Sequence, residues 1–227
     1  MSSPRQSVLL TFALLGGPRR IVGPRRIVGP LLAVELLLAV GLLLSADRAD
    51  AARFAVTPGA ETNSVRFESK APAESFDGKS RQISGTIDCD PTALGDSIGI
   101  AIEVDAASLD TGIGLRNQHM RDNHLHTKQY PKITFTGGRL LPGHPGALPA
   151  GEPVEVTVAG NFTLHGVTQR FEVPAQVTWN AAEKALHVVA SFQVKLSAFN
   201  IPRPQFLVMK LDEVQRITFD VVATQAP

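Results

Sequence analysis

Three closely spaced histidines are the residues of this chain whose types and spacing could do chemistry. His119, His124 and His126 lie within eight residues of one another, and imidazole is the commonest metal ligand in proteins. A metal held there could assist a hydrolysis. Residues five apart do not share a helix face, so only a loop could gather the three side chains. The plainer interpretation is an exposed polar connection, and we predict no metal ligands in the chain.

The other catalytic residue types form no recognisable constellation. The sequence contains no nucleophile elbow, no Ser/His/Asp arrangement, no phosphate-cradling glycine loop and no dinucleotide fingerprint. Asp105 and Asp110 flank one short segment, but Asp110-Thr111-Gly112 is typical of a turn. The single cysteine, Cys89, cannot form an internal disulfide and is expected to be a small buried hydrophobe. We therefore predict no catalytic residues and a protein that is not an enzyme.

The first 51 residues have the pattern of an export signal. Arginines precede an apolar run, LLAVELLLAVGLLL, at residues 31–44, which has the length of a signal core and is short for a membrane span. Ala49-Asp50-Ala51 resembles a cleavage site. We predict a cleaved signal peptide over 1–51 and a single domain over 52–227. The protein would be secreted across the inner membrane, periplasmic or extracellular, and without a stable membrane span after processing; an uncleaved anchor is the alternative.

The charge balance argues against a nucleic-acid partner. The chain has 22 Lys and Arg and 21 Asp and Glu, of which six basic and three acidic residues precede Ala52. The predicted domain therefore carries 16 basic and 18 acidic residues. This balance provides no electrostatic footprint for nucleic acid or for an anionic membrane surface.

Alternation of apolar and polar residues predicts the elements that position any functional group. Two long alternating runs, 154–164 and 167–179, flank His165-Gly166. Alternation with period two is typical of a strand with one dry face. A two-residue link containing Gly predicts a tight hairpin, with His165 as a turn residue. Six more runs alternate in the same way: 65–68, 83–89, 98–105, 132–135, 188–196 and 216–223.

Eight long one-sided strands favour a closed barrel, because closure leaves no exposed edge. We predict an all-β fold, an extended eight-stranded antiparallel β-barrel with a short helical or irregular insert near 113–128. A Pro/Gly loop at 142–153 and a crossing segment at 197–204 complete it. Such a barrel is filled by side chains or holds one small ligand, and the apolar inward positions suit an apolar guest. The predicted lumen-lining, ligand-binding residues are Phe67, Phe76, Ile100, Ile102, Val104, Phe135, Phe162, Phe171, Phe192, Val194, Phe199, Phe206 and Phe219.

Several segments, in the correct order, resemble those of YceI-like proteins. The hairpin sequence GNFTLHGVT at 160–168 resembles the family's G-x-L-T-x-H-G-V-T pattern. Phe54 stands where many members have Trp, and the resemblance covers about residues 53–225. The other matching segments are Phe54–Val56, Ser64–Phe67, Ser84–Ile87, Leu109–Gly112, Met120–Leu125 and Tyr130–Phe135.

The resemblance implies a lipocalin-like barrel whose apolar tunnel holds a polyisoprenoid. Such a ligand would be an isoprenoid quinone or a polyprenyl phosphate, bound without any covalently required cofactor. The resemblance also implies a bacterial protein, commonly periplasmic, and supplies no catalytic residues. Polar groups of the 117–128 stretch and the cations Arg116, Arg121 and Lys128 would then hold the head group at the barrel mouth.

Three functions are open at this point. The first is an exported protein that holds a polyisoprenoid in its lumen for transport, storage or sequestration. The second is a metal-assisted hydrolase that uses His119, His124 and His126, or a quinone-linked oxidoreductase helper. The third is a stress-related or structural secreted barrel whose interior is filled by side chains. A homodimer is compatible with each.

Overall fold

The alternating segments form the wall of an antiparallel barrel in the computed structural model. The structure describes residues 51–70, 75–206 and 209–226, and only the backbone of residues 205, 206, 209 and 210. The strands are β1 (Ala52–Val56), β2 (Ser64–Lys70), β3 (Ser75–Ser80), β4 (Ile83–Cys89), β5 (Ser97–Asp105), β6 (Lys132–Leu140), β7 (Pro153–Leu164), β8 (Val167–Asn180), β9 (Ala185–Lys195), β10 (Gln205–Phe206), β11 (Met209–Lys210) and β12 (Val214–Gln225).

Eight of these strands close into a ring, which confirms the predicted eight-stranded barrel. Their order is β1-β4-β5-β6-β7-β8-β9-β12, and β1 pairs with β12 to close it. At the closure, Phe54 lies opposite Gln225. The other half of β12 pairs with β2, which places Phe219 opposite Val65, and β3 pairs with β2. The paired strands β2 and β3 therefore continue the wall beyond the short strand β1.

The eight strands predicted from alternation are all present, as β2, β4 to β9 and β12. Alternation did not predict β1, β3, β10 and β11, and only the family resemblance pointed to β1. β3 reads SFDGKS and has no apolar alternation. It pairs with β2, where Gly78 lies directly opposite Phe67 and the phenyl ring of Phe67 covers Gly78. A Cβ at Gly78 would lie 2.2 Å from Phe67 Cε1, so the close approach requires glycine.

The irregular segments also follow the prediction. The predicted insert holds the helix α1 (Gly114–His119) and a π-helical turn (Met120–His124), and a 3-10 turn (Ala106–Ser108) precedes it. The crossing segment begins with a second 3-10 turn (Leu196–Phe199). Within the described ranges, no helix has both the length and the apolar character needed to cross a membrane.

The two ends of the barrel differ in packing. The insert, the β7–β8 turn and the 3-10 turn after β9 lie at one end, called here the open end, because β5, β7 and β9 all run toward it and β6, β8 and β12 run away. At the opposite, closed end, Phe54, Leu186 and Ala223 are at most 1% exposed. Phe54 also meets Trp179 edge to face, with ring centroids 5.6 Å apart. The closed end is therefore filled by side chains.

Candidate ligand-binding pocket

A cavity of about 790 Å³ occupies the open end of the barrel. Its volume lies within the range of small-molecule sites, roughly 300–1,000 Å³. The strands supply its wall, and the insert and the crossing segment supply its roof. The described residues that line it are Phe67, Ser69, Phe76, Leu109, Ile113, Leu115, Arg116, His119, Met120, His124, Leu125, Ile133, Leu164, Val194, Leu196, Ile201, Pro204, Leu211, Gln215 and Ile217.

A second void, of about 40 Å³, lies next to this cavity and has only apolar walls. Five residues border both spaces, namely Phe67, Leu109, Ile133, Leu164 and Ile217. The remaining walls of the small void are Val65, Val104, Phe162 and Phe219. The small void therefore separates the large cavity from two phenylalanine rings deeper in the lumen.

Those two rings belong to a group of five, called here the phenylalanine layer: Phe162, Phe171, Phe192, Phe199 and Phe219. The ring centroid of Phe162 lies 5.6, 5.2 and 5.6 Å from those of Phe171, Phe192 and Phe199. Phe192 stacks on Phe219 at 6.2 Å. Such edge-to-face and stacked pairs are favourable beyond the area that they bury. Two rings of the layer, those of Phe162 and Phe219, line the small void directly beside the pocket.

The predicted lumen residues fall into distinct places. Phe67, Phe76, Val104, Phe162, Val194 and Phe219 line one or both cavities. Phe171, Phe192 and Phe199 belong to the layer. Ile100, Ile102 and Phe135 pack against the core and border neither of these two cavities. The side chain of Phe206 lies outside the described part of the structure.

Sequence reasoning missed most of the roof of the pocket. Met120, Leu125 and Ile201 line the cavity from the insert and from the crossing segment. These segments have no single period, so alternation could not assign their side chains to a face. The apolar spacing of Leu115, Met120 and Leu125 within a polar stretch was the signal that could have found two of them.

Polar groups are confined to a few positions of the lining. Arg116 lies over the Phe76 ring, 4.1 Å from its centroid, and its Nε donates to Thr111 Oγ1 at 2.9 Å. Gln215 Nε2 donates to the Asp212 carbonyl at 2.6 Å. Of the other predicted head-group cations, Arg121 Nη2 reaches the Leu109 carbonyl at 3.5 Å, and Lys128 is exposed. The pocket is thus mainly apolar, with Ser69, Arg116, His119, His124 and Gln215 as its polar members.

The three histidines of the insert do not converge on one point. His124 Nδ1 donates to the Pro202 carbonyl at 2.9 Å, whereas His126 Nδ1 lies 2.7 Å from His165 Nε2. His119 is exposed beside the cavity. Across the described ranges, no three His, Cys, Asp or Glu side chains are grouped so that they could share a metal ion. Burial lowers the pKa of His124, which the bond to Pro202 partly opposes.

His165 is a turn residue, as predicted, and it also connects three segments. Its φ is 51° and that of Gly166 is 74°, which is the pattern of a hairpin turn with two left-handed residues. Its Nδ1 donates to the Phe199 carbonyl at 2.9 Å, and its ring meets Tyr130 at 4.6 Å. The hairpin, the insert and the crossing segment are thus joined around one imidazole at the open end.

The fold and the pocket define a class: closed eight-stranded antiparallel barrels with an apolar cavity at one end. The chain belongs to the YceI-like domain family, whose model matches residues 54–223. A UPF0312 protein of Vibrio parahaemolyticus is 28% identical over 162 residues, which are 68% of this chain and 80% of that protein.

Two solved structures support the same fold. BcnA of Burkholderia cenocepacia has a TM-score of 0.59 and 23% identity, over 71% of this chain and 96% of that one. A polyisoprenoid binding domain from Saccharophagus degradans, implicated in plant cell wall breakdown, has a TM-score of 0.59 and 18% identity. That match covers 78% of this chain and 99% of the other. At these identities the comparison supports the barrel and its topology.

Proposed function

We propose that this chain is an exported, non-catalytic binding protein that holds a polyisoprenoid, either a quinone or a polyprenyl chain, in its pocket for transport, storage or sequestration. The observation that carries the proposal is the 790 Å³ cavity at the open end of the barrel. Apart from five polar residues, every described residue that lines it is apolar. A cavity of this kind favours a guest with a long apolar part and a small polar end.

The driving force would be removal of the hydrocarbon from water. Each buried methylene contributes about 0.8 kcal/mol, so one five-carbon unit contributes roughly 3–4 kcal/mol before ordering costs. Immobilising a flexible chain opposes this gain. The polar end would lie near Arg116, His119 and His124, which line the same cavity as the apolar roof.

Two further observations support the proposal. A protein of similar fold is described as a polyisoprenoid binding domain. The leader pattern of residues 1–51, which lies outside the described residues, supports export to the periplasm or the medium. By contrast, His124 and His126 are engaged in hydrogen bonds that point in different directions, which favours a structural role over the metal-assisted hydrolase.

The test is extraction of lipid from the protein purified from its native host, followed by mass spectrometry. Val194→Trp would fill the cavity, because Val194 lines it and is 2% exposed. Gln193→Trp adds the same side chain at the adjacent, exposed position of β9 and is the matched control. We expect polyprenyl lipid with the wild type and the control and its loss from Val194→Trp, with thermal melting confirming that each variant is folded.

Absence of any lipid from the wild-type protein, together with no binding of added prenyl alcohols, would overturn the proposal. Equal lipid content in both tryptophan variants would also contradict it, because the ligand would then occupy some other place.

A further inference from the structure

We propose that the phenylalanine layer limits the length of the ligand, and that Phe219 is the residue that sets the limit. The pocket would take isoprenoid chains of up to about five units and would not admit the remainder of a longer chain into the lumen. This inference rests on the proposed function and adds the class of ligand: short-chain isoprenoids.

The volume of the cavity provides the first argument. A cavity of about 150 Å³ accommodates one benzene molecule, and an isoprene unit, with five carbons, is similar in size. The 790 Å³ cavity is about five times larger. A chain of three to five units would therefore fill it, and further units would have to stay outside the mouth or enter the layer.

The position of the layer provides the second argument. The deeper end of the pocket borders the 40 Å³ void, and Phe162 and Phe219 line that void. Phe162 is fully buried and contacts three other rings of the layer. Phe219 lies on β12 opposite Val65, is partly exposed, and stacks on Phe192 with an angle of 5° between the ring planes. The pocket therefore meets aromatic rings on the side of the 40 Å³ void.

Phe219 is the more replaceable of the two rings. Phe162 is in contact with rings from β8, β9 and the 3-10 turn, so its loss would disturb the whole layer. Loss of the Phe219 ring would instead join its volume to the 40 Å³ void that it already borders. The expected product is a pocket extended toward the closed end by about one isoprene unit.

The experiment compares prenyl alcohols of two to seven isoprene units, each presented in the same detergent, by displacement of a bound fluorescent naphthylamine. For the wild type, affinity should rise about tenfold or more with each added unit up to the fifth and then stay level. With Phe219→Ala, the chain length at which affinity stops rising should be one unit longer. Leu164→Phe adds volume where the two cavities meet. With this variant, the chain length at which affinity stops rising should be at least one unit shorter.

Phe171→Ala is the matched control. It also removes a ring of the layer, but Phe171 lines neither of the two cavities. Its length limit should equal that of the wild type. If Phe219→Ala does not fold, Phe219→Leu and Leu164→Phe test the same limit with smaller changes in packing.

The outcomes separate the two proposals. Failure of every prenyl alcohol to bind the wild type would overturn the proposed function and this inference with it. Affinity that keeps rising through seven units would overturn the length limit alone. Equal limits in the wild type and both the Phe219→Ala and Leu164→Phe proteins would do the same, because Phe219 would then not define the end of the pocket.

Discussion

His126 Nδ1 lies 2.7 Å from His165 Nε2, and this contact joins the insert to the β7–β8 hairpin. His165 also contacts the Phe199 carbonyl through Nδ1. A carbonyl only accepts hydrogen bonds, so Nδ1 of His165 carries the proton and its Nε2 accepts from His126. Two imidazoles thereby hold together the insert, the hairpin and the crossing segment, which are the elements that frame the pocket.

Replacement of His165 by Asn tests the energetic role of that contact. Asn tolerates the left-handed φ of this turn, but it would lose both ring hydrogen bonds. We expect the free energy of unfolding to fall by about 1–3 kcal/mol. Urea unfolding measures the change.

The control is His187→Asn, since His187 contacts Asp220 at 2.7 Å but both side chains are about half exposed. An exposed pair should contribute less than about 1 kcal/mol. Equal losses in the two variants would show that the His126–His165 bond does not stabilise the open end.

Gly166 is constrained by its positive φ and by its contact with Tyr130, and Gly151 shares only the first of these constraints. A Cβ at Gly166 would lie 2.5 Å from Tyr130 Cε1, whereas a Cβ at Gly151 would meet nothing within 4 Å. Their φ values are 74° and 79°, so alanine pays nearly the same backbone cost at each, about 1–2 kcal/mol. We expect Gly166→Ala to lose about 1–3 kcal/mol more stability than Gly151→Ala. Similar losses, measured by urea unfolding, would mean that Tyr130 moves aside without cost.

The stability of the protein should depend on pH through His124. Burial lowers the pKa of His124 in the fold below its ordinary value of 6.5. As the pH falls below 6.5, the unfolded chain takes up this proton first, so His124 makes unfolding more favourable until the folded pKa is passed. Wild type should therefore lose more stability than His124→Gln between about pH 7.5 and about pH 5.

His144 provides a comparison of opposite sign. Hydrogen bonds to the Pro145 carbonyl and to Asp96 raise the pKa of His144. Its stabilising effect is therefore complete at low pH and is lost as the pH rises through the raised pKa. Compared with the wild type, His144→Gln should lose the most free energy of unfolding in acid. His124→Gln should instead gain the most over the wild type in acid. If both variants parallel the wild type in urea titrations, neither histidine controls acid stability.

Cys89 reports on the integrity of the closed end. The thiol is 5% exposed, and burial raises its pKa to about 11. At pH 8 its thiolate fraction is lower by about 100-fold than that of an ordinary thiol, before any effect of access. Iodoacetamide should therefore label the folded protein slowly and the urea-unfolded protein rapidly. A Cys89→Ala protein carrying Gln176→Cys at an exposed position of β8 is the control, and rapid labelling of folded Cys89 would contradict the packing described here.

Side-chain parity predicted which residues form the wall of the barrel but not where the lumen contains a cavity. Val194 and Phe219 were placed in the lumen because alternation assigns each residue of a strand to one face. Phe135 has the same inward parity, yet its ring covers Gly160, where a Cβ would lie 2.5 Å from Cζ. The ring lies against the wall and borders neither cavity. Such a difference depends on a residue in a neighbouring strand, which periodicity does not encode.

The roof was beyond sequence reasoning for a different reason. Met120 and Ile201 reach the pocket from helical turns and an irregular segment, whose side-chain directions depend on tertiary contacts. His165 was predicted from its turn alone, because its partners lie 39 and 34 residues away along the chain. Local pattern thus predicts the frame of the site, and long-range contacts determine its closure.

The hydrogen bond from the Ala226 amide to the Arg53 carbonyl, 2.8 Å long, places the two ends of the barrel chain side by side at the closed end. A short peptide joining them would give a circularly permuted protein whose new termini could open in the 142–152 loop, at the same closed end. The barrel could be immobilised on a surface through the original ends of the domain or through the termini of the permuted protein. The pocket would then face away from the support, where lipid exchange can be followed without obstruction.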